Sequence, residues 1–224
     1  MQDPGPATGL NPQQLDTIER YDRSADRFQA TIAQLENYNE TYDCLLGCLR
    51  DGDSVLDLAC GPGNISRYLA TRKRLRVTGF DLSAAMLAIA RETVPGGSFH
   101  QRSIIDFSLA ETYDAVINGF GLPYLDDRQA VQSLRSSAAA LNPRGALYLS
   151  FMDGDGCRLE TPSFNHDVRL LVHYHRQATV IRTLEALGLG VMRKWELDYL
   201  EEDGSVTKDA VIIAQRSARA ADRA

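Results

Sequence analysis

The sequence predicts an α/β protein built on a mostly parallel sheet. Short apolar segments alternate with amphipathic helical segments along most of the 224 residues, which is the order typical of a parallel sheet covered by helices. A glycine-rich turn follows the first apolar segment, and two long segments flank a turn at 201–204 near the end. Such a closing hairpin predicts antiparallel pairing at one edge of the sheet.

Two amphipathic helices are predicted ahead of the sheet. The first runs from about 12 to 28 and the second from roughly 31 to 49, where apolar side chains recur at helical spacing. We expect residues 1–50 to form a helical lid over a main domain at 51–215. Residues 216–224 are expected to be a flexible tail.

Seven strands are predicted in the main domain, with helices between them. Their approximate bounds are 54–58, 75–80, 98–102, 113–118, 146–152, 191–200 and 205–215. Ser83 is a suitable N-cap for a helix at 84–91, and a helix at 127–141 ends before Pro143 and Gly145. A last helix is expected at 179–187.

The stretch from about 153 to 176 interrupts this alternation. It contains glycine, proline and mixed polar residues without clear periodicity, and irregular connections of this length are often functional. Ligands in open α/β sheets lie outside the carboxyl ends of the strands. The stretch is therefore predicted to be a cap over that edge, inserted after the fifth strand.

Composition excludes several classes of function. A net charge of −6 disfavours binding to the phosphate backbone of nucleic acids. The apolar runs are far shorter than the ~20 residues that a membrane span needs, and the first residues lack the pattern of a secretory signal. We expect a cytoplasmic protein without a nucleic-acid or membrane partner. Cys44 and Cys48 are read as helix core residues, and no metal site is predicted.

The segment VLDLACGPGN at 55–64 is the strongest candidate for a ligand site. Gly61 and Gly63 can adopt positive φ and carry no side chain, so the backbone can approach a ligand closely. Asp81 ends the next predicted strand, where a carboxylate can accept hydrogen bonds from both hydroxyls of a ribose. The pattern predicts a site for an adenosine-containing ligand.

Dinucleotide-binding proteins share these two features, but the details differ. Their loop has the pattern G-x-G-x-x-G, whereas Ser66 stands here in the position of the third glycine, and Pro62 separates the first two. Asp57 would repel a phosphate group and suits the ammonium group of an amino acid. S-adenosylmethionine carries that ammonium group and no phosphate. An NAD(P)-dependent oxidoreductase remains the alternative.

From about residue 21 to 215 the chain resembles the class I S-adenosylmethionine-dependent methyltransferases. The segment 57–63 is similar to the family's first motif, with Ala59 in place of a frequent glycine. The segment 80–83, followed by Met86, resembles the second motif, in which the acid holds the ribose and a hydrophobic neighbour packs on adenine. The resemblance implies a Rossmann-like, seven-stranded sheet with an antiparallel last strand and helices on both faces.

The resemblance also implies a cofactor site for S-adenosylmethionine. Its expected residues are Tyr21, Asp57, Ala59, Gly61, Gly63, Asp81, Leu82, Met86, Ser103, Ile104 and Asn118. The family often has an acid after the third strand that contacts adenine. Here that contact is expected from Ser103, the backbone of Ile104 or Asp106, in that order. Tyr21 matches a tyrosine that approaches the cofactor's carboxylate, or else it only packs the first helix.

Methyl transfer from a sulfonium is an in-line displacement, so the protein must align the acceptor and exclude water. The family positions its acceptor at the segment corresponding to 118–124, which includes Tyr124. His173 and His175 would face one side of an extended segment and are candidates for a general base; otherwise they are packing or surface histidines. The catalytic candidates are therefore His173, His175 and Tyr124.

The sequence thus predicts a methyltransferase that acts on an oxygen or nitrogen atom of a small molecule. We expect a neutral or cationic acceptor, enclosed by the insertion and the loop at 119–124. A protein that binds the cofactor but catalyses no methyl transfer is a further alternative, because one fold supports many functions.

Overall fold

The computed structural model describes residues 10–200 and 206–217. The strands are β1 (Ser54–Leu58), β2 (Arg76–Asp81), β3 (Ser98–Gln101), β4 (Tyr113–Gly119), β5 (Leu141–Met152), β6 (Cys157–Glu160), β7 (Leu170–His173), β8 (Leu189–Leu200) and β9 (Val206–Arg216). The helices are α1 (Pro12–Ile32), α2 (Asn39–Gly47), α3 (Asn64–Ala70), α4 (Ala84–Thr93), α5 (Asp127–Ala139) and α6 (Gln177–Ala186), with a short 3-10 helix at Leu122–Tyr124.

Seven strands form one sheet in the order β3-β2-β1-β4-β5-β9-β8. The first five strands pair in parallel, whereas β9 is antiparallel to both β5 and β8. The predicted seven-stranded sheet with an antiparallel last strand is confirmed. Because the parallel strands end at the same edge, the loops that follow β1, β2 and β4 lie side by side there.

The central strands are buried on both faces, as parallel strands covered by helices must be. Along β1, Leu56 packs into a core that includes Leu134 of α5 and Leu184 of α6. Val55, one residue earlier, packs into a second core on the opposite face, together with Leu45 of α2. This alternation places helices on both faces of the sheet, as predicted.

The helix predicted at 31–49 is wrong in its extent. α1 continues to Ile32, and α2 begins only at Asn39. Leu35 lies in the intervening turn and lines a cavity at the edge of the sheet, whereas Tyr38 is buried against the sheet. The break lets α1 cross the cavity while α2 packs on the sheet, so tertiary packing overrides a continuous helical periodicity.

Other boundaries shift by a few residues. α5 ends at Ala139, and β5 already begins at Leu141. The predicted turn before β5 persists as an irregular start of the strand, where Arg144 adopts a φ of 64°. The predicted turn at 201–204 lies outside the described residues, as do residues 1–9 of the predicted lid and 218–224 of the predicted tail.

The insertion after β5 contains a small hairpin in which β6 and β7 pair antiparallel. Its residues Phe164, Leu170 and Val172 line the cavity, so the insertion lies over the carboxyl edge of the sheet. Asn165 Nδ2 donates to Ser24 Oγ of α1 at 2.8 Å. The cap and the N-terminal helix therefore contact each other above the sheet. Over residues 10–200 and 206–217, no helix is long and apolar enough to cross a membrane.

Candidate active site

A cavity of about 330 Å³ opens at the carboxyl edge of the sheet. α1 covers it from above, the loops after β1, β2, β3 and β4 form its floor, and the cap closes one side. Its lining is mainly apolar and aromatic with a few polar groups, which is the composition typical of small-molecule sites. The cavity brings together most, but not all, of the residues predicted from the sequence.

Asp81 lies at the end of β2 with its carboxylate facing the cavity. One carboxylate oxygen accepts from the backbone N–H of Gly61 at 2.8 Å, and the other accepts from that of Ser83 at 2.9 Å. Burial raises the pKa of Asp81, and hydrogen bonds from backbone N–H groups oppose that rise. Asp81 therefore joins the glycine loop to the start of α4 and presents a buried acid to a ligand.

The glycine loop approaches the cavity through two residues in the left-handed region. Ala59 and Gly61 both have a φ of 52°, and both line the cavity. A Cβ atom at Gly61 would lie 3.6 Å from Cε1 of Phe28 in α1. The loop and the covering helix are thus close enough to enclose a ligand from two sides.

Asp57 and Gly63 lie behind the loop and do not line the cavity. Asp57 is 1% exposed and accepts from Ser66 Oγ at 2.6 Å. Its burial raises its pKa to about 7. Gly63 precedes α3 with a φ of 80°, and a Cβ atom there would lie 3.3 Å from Cγ2 of Val94. Both residues support the loop from within the core in this structure, and their contacts with a ligand stay a prediction.

Asn118 is also buried rather than exposed to the cavity. Its Oδ1 accepts from the backbone N–H of Gly121 at 3.0 Å, and its Nδ2 has no hydrogen-bond partner among the residues described. A Cβ atom at Gly121 would lie 2.6 Å from Asn118 Oδ1 and 2.8 Å from Cδ1 of Ile104. Asn118 therefore shapes the loop after β4, and only glycine fits at position 121.

Four of the residues that we expect near adenine lie together in the cavity. Leu82, Met86, Ser103 and Ile104 line one end of the cavity, next to Asp81. Asp106 is exposed and accepts from Gln132 Nε2 at 3.1 Å. Ser103 and Ile104 therefore lie at the cavity and Asp106 lies outside it, and their contacts with adenine stay a prediction.

Tyr21 and Tyr124 meet inside the cavity, where their hydroxyl groups share a short hydrogen bond. Burial raises the pKa of both phenols, so both are neutral near pH 7. The Tyr21 ring also packs against Phe28 and Phe164, with centroids 5.4 and 5.3 Å apart. Tyr21 therefore packs against the helix and carries a hydroxyl group to the cavity, and its approach to the cofactor's carboxylate stays a prediction.

His173 and His175 do not line the cavity. Leu170 and Val172 of β7 do, and since successive side chains of a strand point to opposite faces, His173 points away. His175 is 6% exposed, with Nε2 3.0 Å from the carbonyl oxygen of Leu122. The expectation that this pair faces the acceptor is corrected. His175 instead supports the 3-10 helix that carries Tyr124.

Sequence reasoning missed a buried acid on β9. Asp209 lines the cavity and is 4% exposed, and its Oδ2 accepts from the hydroxyl group of Tyr38 at 2.5 Å. The available signal was an acid directly before five fully buried apolar residues at 210–214. Its nearness to the cavity depends on pairing with Met152 of β5, which local patterns do not reveal.

The charges along the cavity are mostly negative. Asp81, Glu160 and Asp209 supply carboxylates, and Arg102 is the cation among the lining residues described. Within the described ranges, no cluster of three or more His, Cys, Asp or Glu side chains is suited to a metal ion.

Comparison with known proteins agrees with this geometry. Residues 55–145 match the profile of a family described as a methyltransferase domain. The demethylmenaquinone methyltransferase of Chlorobaculum parvum is 33% identical over 96 residues, which cover 42% of this chain and 39% of that protein. The chain thus spans about two fifths of the length of the curated relatives it matches.

Solved structures share the fold at low identity. Magnesium protoporphyrin IX methyltransferase from Synechocystis PCC 6803, with bound SAM, has a TM-score of 0.67 at 19% identity and covers 94% of this chain and 100% of that one. The [4+2]-cyclase SpnF has a TM-score of 0.73 at 14% identity, with 93% and 97% covered. The strand order and the solved structures show that this chain has a Rossmann-like fold shared with S-adenosylmethionine-dependent methyltransferases, and its residues 55–145 are similar to a methyltransferase domain.

Proposed function

We propose that the chain is an S-adenosylmethionine-dependent methyltransferase that acts on an oxygen or nitrogen atom of a small molecule. The observation that carries this proposal is one continuous cavity. At one end it is lined by Asp81 and the backbone of Ala59 and Gly61, and beyond the loop after β4 it is lined by aromatic side chains. Its lining suits a nucleoside at the first end and a less polar molecule at the other.

The residues present fit the adenosine part of the cofactor. A carboxylate offers about four lone-pair sites, so Asp81 can accept from ribose hydroxyls while it holds the N–H groups of Gly61 and Ser83. Leu82 and Met86 supply an apolar wall for the adenine ring. This part of the site therefore needs no rearrangement of the loop.

The remaining part of the cofactor is an amino acid with an ammonium and a carboxylate group. Asp57 lies beneath the loop, where its partly protonated carboxyl can ionise in response to a nearby ammonium group. The buried Asn118 Nδ2 and the hydroxyl groups of Tyr21 and Tyr124 are hydrogen-bond donors in the same region. We assign Asp57 an electrostatic role through the loop rather than direct contact.

When bound, S-adenosylmethionine supplies an electrophilic methyl group. The chain then has to orient the acceptor and exclude water, and no covalent intermediate on the protein is needed. α1 closes the cavity from above, since Asp22 accepts from Ser83 Oγ at 2.6 Å and from the N–H of Ala85 at 3.0 Å. Gln14 Nε2 also donates to the carbonyl oxygen of Tyr124 at 2.9 Å. α1 is the lid of this proposal, and it must open for product release.

The relatives support the class of reaction, because their names describe methyl transfer to small molecules such as demethylmenaquinone and trans-aconitate. The likeness to a cyclase shows that this fold also serves proteins described by another activity. Binding and turnover therefore have to be measured separately.

Isothermal titration with S-adenosylmethionine, S-adenosylhomocysteine and NAD tests the cofactor. We expect the first two to bind and NAD to give no heat of binding. Labelled S-adenosylmethionine, incubated with a panel of small amines, phenols and carboxylic acids, then tests the reaction. Binding of NAD alone would favour an oxidoreductase. Binding of S-adenosylmethionine without methyl transfer to any acceptor would favour a protein that binds the cofactor but does not catalyse methylation.

A further inference from the structure

The first turn of α1 contacts the first turn of α5 through two glutamines. Gln14 Nε2 donates to Gln129 Oε1 at 2.9 Å, and Gln129 Nε2 donates to Gln14 Oε1 at 3.3 Å. Gln14 Nε2 also donates to the carbonyl oxygen of Tyr124 at 2.9 Å. Tyr21, seven residues later on the same face of α1, shares a hydrogen bond with the hydroxyl group of Tyr124. α1 therefore holds Tyr124 both at its backbone and at its side chain.

Both glutamines also belong to capping boxes, which fix their direction. Gln14 Oε1 accepts from the backbone N–H of Asn11 at 3.1 Å, and Gln129 Oε1 accepts from that of Asp126 at 3.2 Å. Each amide oxygen thus holds the start of its own helix, while each amide nitrogen reaches the other helix. Because the capping boxes already order both side chains, the contact between them costs little further side-chain entropy.

The same helix is attached at the cofactor end of the cavity. Asp22 lies eight residues after Gln14, or about 12 Å along an α-helix. Asp22 accepts from Ser83 Oγ and from the N–H of Ala85, directly after the strand that ends in Asp81. Since α1 is one continuous helix from Pro12 to Ile32, its attachment at one end favours its attachment at the other.

We propose that Gln14 and Gln129 form the latch of the lid α1, and that closing this latch fixes Tyr124 in position, so that cofactor binding completes the acceptor side of the site. The proposal rests on the proposed function, because it takes α1 to be the lid and Asp81 to mark the cofactor end. Gln14 is a positioning residue in this account, since it acts on an acceptor only through Tyr124. When α1 opens, Tyr124 loses its contacts with both Gln14 and Tyr21.

Amide hydrogen exchange, followed by NMR on the full-length protein, measures the state of the latch. The N–H groups of Tyr124 and Leu125 donate to carbonyl oxygens at the start of the 3-10 helix, so their exchange rates report how often this helix opens. Saturation with S-adenosylhomocysteine should slow both rates in wild type by about 5- to 150-fold, the usual range for coupling between two sites. The N–H of Ala85, which donates to Asp22, reports on the lid at the cofactor end and should also exchange more slowly.

Two variants with the same added charge locate the effect. Gln14→Glu keeps the capping box, in which glutamate is a usual residue, but it offers no N–H group to the carbonyl oxygen of Tyr124. The ligand should still slow exchange at Ala85 in this variant, whereas most of the slowing at Tyr124 should be lost. Gln13→Glu adds the charge at an exposed position one residue earlier and should behave like wild type. Wild-type slowing at Tyr124 in Gln14→Glu, or its loss in Gln13→Glu, would overturn the proposal.

Measurements without ligand separate the possible failures. In the ligand-free protein Gln14→Glu should speed exchange at Tyr124 and Leu125 by about 2- to 12-fold, as expected for the loss of one hydrogen bond. Exchange within β4 should be the same in Gln14→Glu, Gln13→Glu and wild type, since overall stability is retained. Unchanged exchange at Tyr124 in ligand-free Gln14→Glu would refute the latch. Failure of S-adenosylhomocysteine to bind wild type would refute the proposed function instead, and the ligand-free comparison would still decide whether the latch exists.

Discussion

Asp57 makes the stability of the ligand-free protein depend on pH. Its carboxyl is buried in the folded protein, with a pKa raised from 3.8 to about 7. Between these values the folded state binds more protons than the unfolded state, so the free energy of unfolding falls as the pH rises from about 4 to 7. Above about pH 7 the group is ionised in both states, and its contribution no longer changes.

The substitution Asp57→Asn removes this titration and keeps an oxygen that can accept from Ser66 Oγ. A shift of roughly three pKa units corresponds to about 4 kcal/mol. At about pH 3 the variant and wild type should have similar free energies of unfolding, because the acid is then mostly protonated in both states of wild type. Near pH 8 the variant should be more stable by up to about 4 kcal/mol.

Urea-induced unfolding at several pH values, followed by circular dichroism, measures this difference. Asp198→Asn is the matched control, because it removes an exposed acid, and its stability relative to wild type should change by well under 1 kcal/mol over the same range. A stability difference between Asp57→Asn and wild type that is independent of pH would refute the reasoning.

Three further predictions concern the loop and the lid. Near pH 6, binding of S-adenosylhomocysteine should release more protons from wild type than from Asp57→Asn, because the ammonium group of the ligand favours the ionised form of Asp57. Calorimetric titrations in buffers of different ionisation enthalpy measure this release, and equal release from the two proteins would contradict the prediction. Asp22→Ala, which removes the lid's contacts with Ser83 and Ala85, should weaken binding of the same ligand by about 1–3 kcal/mol, and unchanged affinity would show that α1 is no lid. His175→Ala should lower the rate of methyl transfer and leave cofactor affinity unchanged, because it removes the contact with the Leu122 carbonyl oxygen in the 3-10 helix that carries Tyr124. An unchanged rate would show that His175 does not support this helix.

The sequence was sufficient wherever chemistry and structure are local. Gly61 follows β1 and Asp81 ends β2, so their position at one edge of the sheet follows from the order of the parallel strands alone. Ser103 and Ile104 follow the next strand, and they line the same cavity for the same reason. These predictions needed only the alternation of strands and helices.

Other residues depend on packing that local patterns do not contain. Asp57 and Gly63 belong to the motif, yet both lie in the core beneath the loop, where Asp57 contacts Ser66 and Gly63 lies close to Val94. His173 faces away because Leu170 and Val172 take the cavity side of β7. Asp209 was missed since β9 reaches the site only by antiparallel pairing across the sheet.

The central claim is that Asp81 holds the ribose of S-adenosylmethionine, and calorimetric titration of Asp81→Ala with S-adenosylhomocysteine tests it most directly. The loss of two hydrogen bonds to a carboxylate should weaken binding by about 2–4 kcal/mol, or roughly 30- to 700-fold in Kd. Asp106→Asn, which changes an exposed acid outside the cavity, should bind like wild type. If a folded Asp81→Ala protein binds the ligand with wild-type affinity, the site has been assigned wrongly.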